Sequence, residues 1–301
     1  MKIALTGATG FLGLHLLTAL LEAGHNVNVL VRSPDKLPQN IRAQRNLSIF
    51  EGDLQSDLTD WAKGADCVIH LAGLIKARTL AEFISVNADG AGRIANAAQS
   101  AKVSRFILFS SMAAREPHLS GYAASKHAGE RAVKTAFTDG ALVIIRAPAV
   151  FGPNDMATKP IFQMLQKGWF PVVGGDWKKT NISMVYIDDL IKNLVSNVIH
   201  GGCDGRIVSP SSITKMSWAE FANFAALALN RPVRVLPIPV IIMKPIAAIT
   251  SVTLRLFGVG HLSLEKLREF RHPDWTSPDE IDNPTPMIEA LRITATSYKK
   301  D

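Results

Sequence analysis

Lys2-Ile-Ala-Leu-Thr-Gly7-Ala-Thr-Gly10-Phe-Leu-Gly13 sets three glycines three residues apart. The apolar run from Lys2 to Leu5 has the composition of a buried strand, Thr6 to Gly10 that of a tight turn, and residues 11–23 carry apolar side chains at helical spacing. Each glycine answers a physical need at such a junction. Gly7 can take a backbone angle that other residues avoid, Gly10 lets a pyrophosphate approach the main chain, and Gly13 lets the helix pack closely on the strand. The amides that open the helix, Phe11 and Leu12 first, then face the phosphates together with the positive end of the helix dipole. A glycine triplet is weak evidence by itself, but after a strand and before an amphipathic helix it predicts a dinucleotide site.

The remaining composition narrows the class. Of 301 residues, 47% are hydrophobic and 20% charged, which supplies a core and excludes a disordered chain. Cys67 and Cys203 lie far apart with no C-x-x-C spacing, against a disulfide framework or cysteine zinc site and in keeping with a reducing compartment. The histidines show no ligand spacing, so no metal is expected. No signal-peptide pattern precedes the first strand, and a cytoplasmic location is expected. A net charge of +7 favours anionic partners, yet the basic residues are dispersed apart from Lys178-Lys179 and Lys299-Lys300, which argues against nucleic acid.

Strands are predicted at 26–31, 47–51, 67–71, 105–110 and 141–146, with helices at 54–63, 85–102 and 121–138 between them. Cys67-Val-Ile-His-Leu71 and Leu142-Val-Ile-Ile145 are almost wholly apolar, the mark of strands covered on both faces. Right-handed crossovers then give an α/β, doubly wound parallel sheet over residues 1–150, with its ligand at the carboxyl ends of the strands. Beyond Arg146, prolines 148, 153 and 160 break the regularity. A short helix at 161–167, a strand at 183–187, a helix at 188–199 capped by Asp188, and a short strand at 206–208 follow. Ser217 with Glu220 forms a capping box for a helix reaching 229. A strand at 233–236, an apolar helical stretch at 240–257 and a last helix from about 286 complete the chain. Residues 151–301 read as a smaller α/β substrate cap that closes over the cofactor and returns segments to the main sheet.

The end of the second strand bears on cofactor choice. NAD sites place an acidic residue there for the ribose hydroxyls. Here Val29-Leu-Val-Arg32-Ser33 presents a planar cation and a hydroxyl, which favours NADP over NAD. Asp53, in Gly52-Asp53-Leu54, offers a carboxylate for an adenine amino group. Farther on, Ser111 follows the fifth strand, and Tyr122 and Lys126 lie four apart on one helix face. A free phenol, with a pKa near 10, is a poor base at neutral pH; a neighbouring ammonium favours the phenolate. Ser111 can hold a substrate oxygen while Tyr122 moves its proton, and Lys126 can also bind ribose hydroxyls.

With these residues in view, the chain resembles the short-chain dehydrogenase/reductase superfamily of extended or atypical type: the NAD-dependent epimerase/dehydratase, dihydroflavonol-reductase-like and 3β-hydroxysteroid-dehydrogenase-like enzymes. Thr6-Gly-Ala-Thr-Gly-Phe-Leu-Gly13, Gly52-Asp-Leu54, His70-Leu-Ala-Gly73, Val86-Asn87, Phe109-Ser-Ser111, Tyr122 to Lys126, Arg146-Ala-Pro148 and Val185-Tyr-Ile-Asp-Asp-Leu190 carry the likeness. It implies a Rossmann fold with Tyr122 as acid/base, Lys126 as its activator, Ser111 as substrate polariser, and Asn87 supporting the proton path or a helix kink. It adds Leu54, Leu71, Ala72, Gly73 and Pro148 to the cofactor contacts. It also places Asn154, Gly174-Gly-Asp176, Lys178, Lys179 and Asn181 where similar proteins bind substrate. The loop from Met112 to Gly121 is compact for this group, and strand two lacks the acidic residue of NAD-using epimerases.

The expected activity is therefore hydride transfer between a nicotinamide cofactor and a carbonyl or secondary alcohol of a small-molecule substrate. The alternatives are a sugar-nucleotide epimerase or dehydratase and, from another class, a cofactor-sensing regulator or a membrane-surface accessory protein. For 240–257 a packed cap helix is favoured over a peripheral membrane contact, because Lys244, Pro245 and Arg255 interrupt it. A homodimer is compatible with this reading; the sequence does not fix the oligomeric state.

Overall fold

The computed structural model describes residues 1–174, 177–257 and 263–298, with side chains of 252–257 outside that description. The first elements are β1 (Lys2–Thr6), α1 (Phe11–Glu22), β2 (Asn26–Val31), α2 (Gln39–Arg42), β3 (Leu47–Glu51), β4 (Cys67–His70), α3 (Leu80–Ile84), α4 (Gly90–Ser100), β5 (Arg105–Ser111), α5 (Gly121–Ala136) and β6 (Ala141–Ala147). There follow β7 (Ala149–Phe151), α6 (Lys159–Gln166), β8 (Trp169–Val173), β9 (Asn181–Tyr186), α7 (Ile187–Ser196), β10 (Ile207–Val208), β11 (Ile213–Ser217), α8 (Trp218–Leu229), β12 (Arg234–Ile238), α9 (Val240–Phe257), α10 (Leu264–Arg271), β13 (Asp274–Trp275) and α11 (Met287–Thr296). They fall into two compact units, Met1–Arg146 with Ile191–Val208, and Ala147–Leu190 with Ser209–Asp301.

The first unit is a seven-stranded sheet in the order β10-β6-β5-β4-β1-β2-β3. The pairings β2–β3, β1–β2, β1–β4, β4–β5 and β6–β10 are parallel, as the apolar strands require. Register brings Leu30, Thr6, His70 and Leu108 into one row across β2, β1, β4 and β5, so the carboxyl ends that should face a ligand are level. This is the Rossmann arrangement, with the strand order reversing about β1 and β4. Trp61, Ile94, Phe106 and Val133 are fully buried in one layer of its core.

In the second unit β9 is flanked by β11 and β13 and also pairs with β7, while β8 and β12 form a separate parallel pair. The capping box of Ser217 and Glu220 opens α8. Tyr298, just past α11, donates its hydroxyl to the Asp155 carbonyl at 2.6 Å and so ties the last helix to the loop after β7.

Several elements differ from the sequence expectation. Residues 54–63 form turns, not a helix. Asp53 accepts from the Gln55 amide at 2.8 Å and Asp57 from the Thr59 amide at 3.0 Å, local bonds that compete with a helical ladder. The helix expected at 85–102 is a π turn, Ser85–Asp89, followed by α4. Asp188 does not cap α7; it lies in the first turn with Asp189. Asp189 is buried instead and takes hydrogen bonds from Ser212 and Thr285. The short strands β8 and β11 carry too little alternation to stand out.

The opening glycines have separate duties. Gly7 has φ +76°, and a Cβ there would lie 2.7 Å from the Ala72 nitrogen. A Cβ at Gly13 would collide with the Gly7 carbonyl oxygen and stand 2.9 Å from the Ala8 Cα. Gly10 has only the Gly7 oxygen near it, at 3.4 Å, and leaves the turn open on its outer side. Gly13→Ala therefore forces backbone against backbone. Differential scanning fluorimetry should show a Tm lower by roughly 5–10 °C, from an overpacking cost of about 3 kcal/mol. Gly24→Ala, at φ +78° with nothing within 4 Å, should cost only about 1 kcal/mol.

Candidate active site

A cleft of about 420 Å³ lies over the carboxyl ends of β1, β2 and β4. Eight residues expected from the sequence line it: Gly7, Gly10, Arg32, Asp53, Leu54, Leu71, Ala72 and Gly73. Thr9, Leu74, Ser85 and Val86 line it as well and were not anticipated; Val86 sits in the quoted segment beside Asn87. Phe11, Leu12, Gly13 and Ser33 adjoin the cleft in sequence without lining it. The residues present fit a dinucleotide. Gly10 is the N-cap of α1 and provides no side-chain cap, so the first amides of the helix are left for an anionic group, and the absence of a Cβ at Gly10 keeps the approach open. Arg32, exposed at the end of β2, shares this wall with Asp53. Asp53 is held below the usual carboxylate range, first by the Gln55 amide and last by Arg32.

Helix α5 carries Tyr122 and Lys126. Ser120 caps it, accepting from the Ala123 amide at 3.0 Å, and Tyr122 follows in the first turn. The Tyr122 ring meets Phe83 of α3 at a centroid distance of 6.0 Å. One turn on, the Lys126 ammonium donates to the Phe109 carbonyl of β5 at 2.6 Å. It also abuts the cleft, since a Cβ at Gly73 would come within 3.7 Å of Nζ. Burial pulls the Lys126 pKa down to about 8, and the negative charge of Glu130 opposes that fall. His70, on the neighbouring strand end, is driven to about 3 by burial and then by the charge of Lys126. It is a neutral ring, bonded through Nδ1 to the Thr6 hydroxyl at 2.7 Å. The Ala72 amide donates to that same hydroxyl, so this chain of bonds shapes the cleft floor.

Ser111 ends β5 and accepts from the Ala113 amide at 3.2 Å, capping a 3-10 turn. A hydroxyl has two acceptor sites and one proton, so this cap leaves the O–H to be donated elsewhere. Asn87 is clamped on the backbone of Leu74. Its Oδ1 accepts from the Leu74 amide at 2.7 Å, and its Nδ2 donates to the Leu74 carbonyl and to Ser125, each at 2.9 Å. Both amide protons are thereby used within the protein, and the π turn around Asn87 is the helix irregularity expected there. A Cβ on Gly129 would strike the Asn87 carbonyl, so α5 and the π turn meet main chain to main chain.

Residues expected to touch substrate or the far end of the cofactor belong to the second unit. Pro148 stands buried between β6 and β7. Asn154 has φ +67°. Lys178 lies over the Trp177 ring at 5.7 Å, and Asn181 donates to the Lys179 carbonyl. Gly175 and Asp176 fall outside the described residues.

Glu130 was not among the residues expected from the sequence. Its side chain is 3% exposed and lies one helical turn past Lys126. Ser110 donates to its Oε1 at 2.6 Å, and Arg146 on β6 donates through Nε and Nη2 at 2.9 and 2.7 Å. The spacing Tyr122, Lys126, Glu130 was the available signal. Glu130→Gln leaves Arg146 without its charge partner and should destabilise by on the order of 3 kcal/mol, at the low end because Arg146 keeps some solvent contact. The double replacement Glu130→Met with Arg146→Met should recover at least half of that loss in thermal melts. Losses that merely add would mean that the pair is uncoupled.

The profile of the NAD dependent epimerase/dehydratase family matches residues 3–195. A ceramide reductase of Caulobacter vibrioides is 38% identical, covering 96% of this chain and 88% of its own. A UDP-glucose 4-epimerase of Vibrio cholerae is 26% identical over 99% and 95% of the two chains. Among solved structures, a UDP-glucuronic acid 4-epimerase from Bacillus cereus, in complex with NAD and a fluorinated sugar nucleotide, has the same fold, with TM-score 0.70 at 19% identity over 99% of both chains. Among the described residues no cluster suited to a metal ion occurs. The chain belongs to the NAD dependent epimerase/dehydratase family, and it is an enzyme of that family.

Proposed function

We propose that the protein is an NADP-dependent carbonyl reductase, acting on a ketone carried by a lipid-like substrate, with Tyr122 as proton donor. The observation that carries this reading is the withdrawn Lys126 ammonium, set against Gly73 of the cofactor cleft and one helical turn from Tyr122. A nicotinamide bound in the cleft would supply the hydride. Tyr122 gives its proton to the oxygen that becomes the alcohol, and Ser111 donates its O–H to the same oxygen beforehand. Lys126 holds ribose hydroxyls and places a positive charge near the phenol as it loses its proton. Asn87 acts as a positioning residue, fixing Leu74 and, through Ser125, the turn of α5 that bears Tyr122.

Two features favour reduction over epimerisation. Arg32 stands where an NAD site has an acidic side chain, and an enzyme that draws on NADPH consumes reductant instead of recycling a retained NAD. The relative with 38% identity over nearly the whole chain bears the name ceramide reductase, which supports a long apolar body on the substrate. The epimerase of Vibrio cholerae keeps a second reading alive, sugar-nucleotide epimerisation at the same three residues.

Titration of the protein should show NADPH binding more tightly than NADH. Arg32→Ala should shrink that gap by about 10–100-fold, the worth of a charge-assisted phosphate contact. Equal affinities in the wild type would overturn the cofactor assignment. Tyr122→Phe should keep NADPH affinity within about twofold and lower kcat on a long-chain keto-amide by at least about 10²-fold. The rate of reduction should fall as pH rises through about 8, where Lys126 loses its charge. UDP-glucose converted to its 4-epimer without net NADPH consumption would instead establish the second reading.

A further inference from the structure

Helix α9 presents an apolar face to solvent. Ile241 is 80% exposed, Ile242 53%, Ile246 50% and Ile249 65%. At 100° per residue these four fall within an arc of about 140°, and Pro245 lies in the same arc. The opposite side holds the buried Ala247 and half-buried Met243 and Ser251, the last accepting a hydrogen bond from the Leu264 amide of α10. The helix is thus packed on one side and bare on the other. Leu236, on the strand just before it, is 43% exposed and adds to the apolar surface.

The charges around the face select its partner. Lys244 is exposed on α9 itself. Arg234 is exposed on β12, and α10 carries exposed Lys266, Arg268 and Arg271 beside exposed Leu264 and Phe270. Glu269 on α10 is buried and already paired with Lys266 at 2.7 Å. An aliphatic face with basic side chains on the elements next to it is complementary to acyl chains under anionic headgroups. The isoleucine face itself carries no tryptophan or tyrosine, and the exposed Trp169, 6.0 Å from Arg234 on the β8–β12 edge, adds an aromatic ring of the kind that settles at a membrane interface. Among the described residues no helix is long and apolar enough to cross a membrane, so the contact would lie in the plane of the surface.

We infer that α9 docks the protein on an anionic lipid membrane, with Ile241, Ile242, Ile246 and Ile249 entering the headgroup–acyl boundary. The inference rests on the second unit alone and stands whether or not the reductase assignment holds.

The test is co-sedimentation of the whole protein with phosphatidylglycerol/phosphatidylcholine vesicles and with phosphatidylcholine vesicles, at 50 mM and 500 mM salt. Binding is expected to the anionic vesicles, weakened but not abolished by high salt. Ile241→Asp with Ile249→Asp should lower the partition at least about tenfold while leaving Tm and NADPH affinity at wild-type values, because both side chains are exposed. Lys244→Glu should weaken binding chiefly at low salt. Wild-type protein left in the supernatant at low salt, or the double variant binding as well as wild type, overturns the proposal. So does sedimentation velocity in which the double variant loses self-association while vesicle binding is absent, since the face would then serve a second copy. Cofactor titration on the same samples separates this outcome from a failure of the reductase reading.

Discussion

The Gly7 carbonyl oxygen fills the space that any side chain at residue 13 would need. That backbone contact sets how closely α1 approaches the end of β1. On its other side, Gly7 is pressed against Leu71 and Ala72 at the end of β4. The end of β1, the first turn of α1 and the sequence-distant end of β4 therefore meet at van der Waals limits, with no side chain to adjust between them. The open turn at Gly10 and the uncapped start of α1 lie directly beside this contact. A larger residue at position 7 or 13 changes the shape of the cleft before it changes any group that contacts a ligand.

A second constraint places the reactive helix. Helix α5 is fastened to the sheet twice, by Lys126 on the Phe109 carbonyl and by Glu130 on Ser110 and Arg146. Ser110 precedes Ser111, so the bond that secures Glu130 also locates the serine that closes β5. The Gly129 contact with Asn87 lets the helix come near enough for both fastenings. A polar network inside an apolar layer is costly unless every member is satisfied. Here the carboxylate of Glu130 takes three hydrogen bonds, two of them from a cation, which compensates its burial.

The sheet was legible because parallel strands covered on both faces must be apolar throughout, and Cys67-Val-Ile-His and Leu142-Val-Ile-Ile show that plainly. The glycine turn was legible because only glycine meets its steric demands. The turns at 54–63 were not, because Asp53 and Asp57 turn the chain through bonds to nearby amides, which a pattern of apolar residues does not record. Trp61 still fills the core from within them, so the hydrophobic signal was correct and the conformation assigned to it was not. Glu130 escaped notice for a related reason. A glutamate four residues past a lysine reads as a solvated helix pair, and only the fold reveals that Arg146 and Ser110 enclose it. At 240–257 the apolar composition marked a helix and favoured packing in the cap, but composition does not record that one side, Ile241, Ile242, Ile246 and Ile249, stays exposed.

Lys126 is a buried cation that the fold carries at some expense to its stability. Its pKa falls from 10.5 to about 8 on burial. Below pH 8 the ammonium is charged both folded and unfolded, and its desolvation opposes folding in full. Between about pH 8 and 10.5 the folded protein sheds this proton while the unfolded chain keeps it, so the penalty fades as pH rises. At neutral pH the site thus holds a charge that folding disfavours by on the order of 3 kcal/mol. Glu130 offsets part of this from one turn away, and the Phe109 carbonyl accepts one ammonium proton. A carboxylate one turn removed and tied to Arg146 thus supports the ammonium without forming an ion pair that would take up its charge.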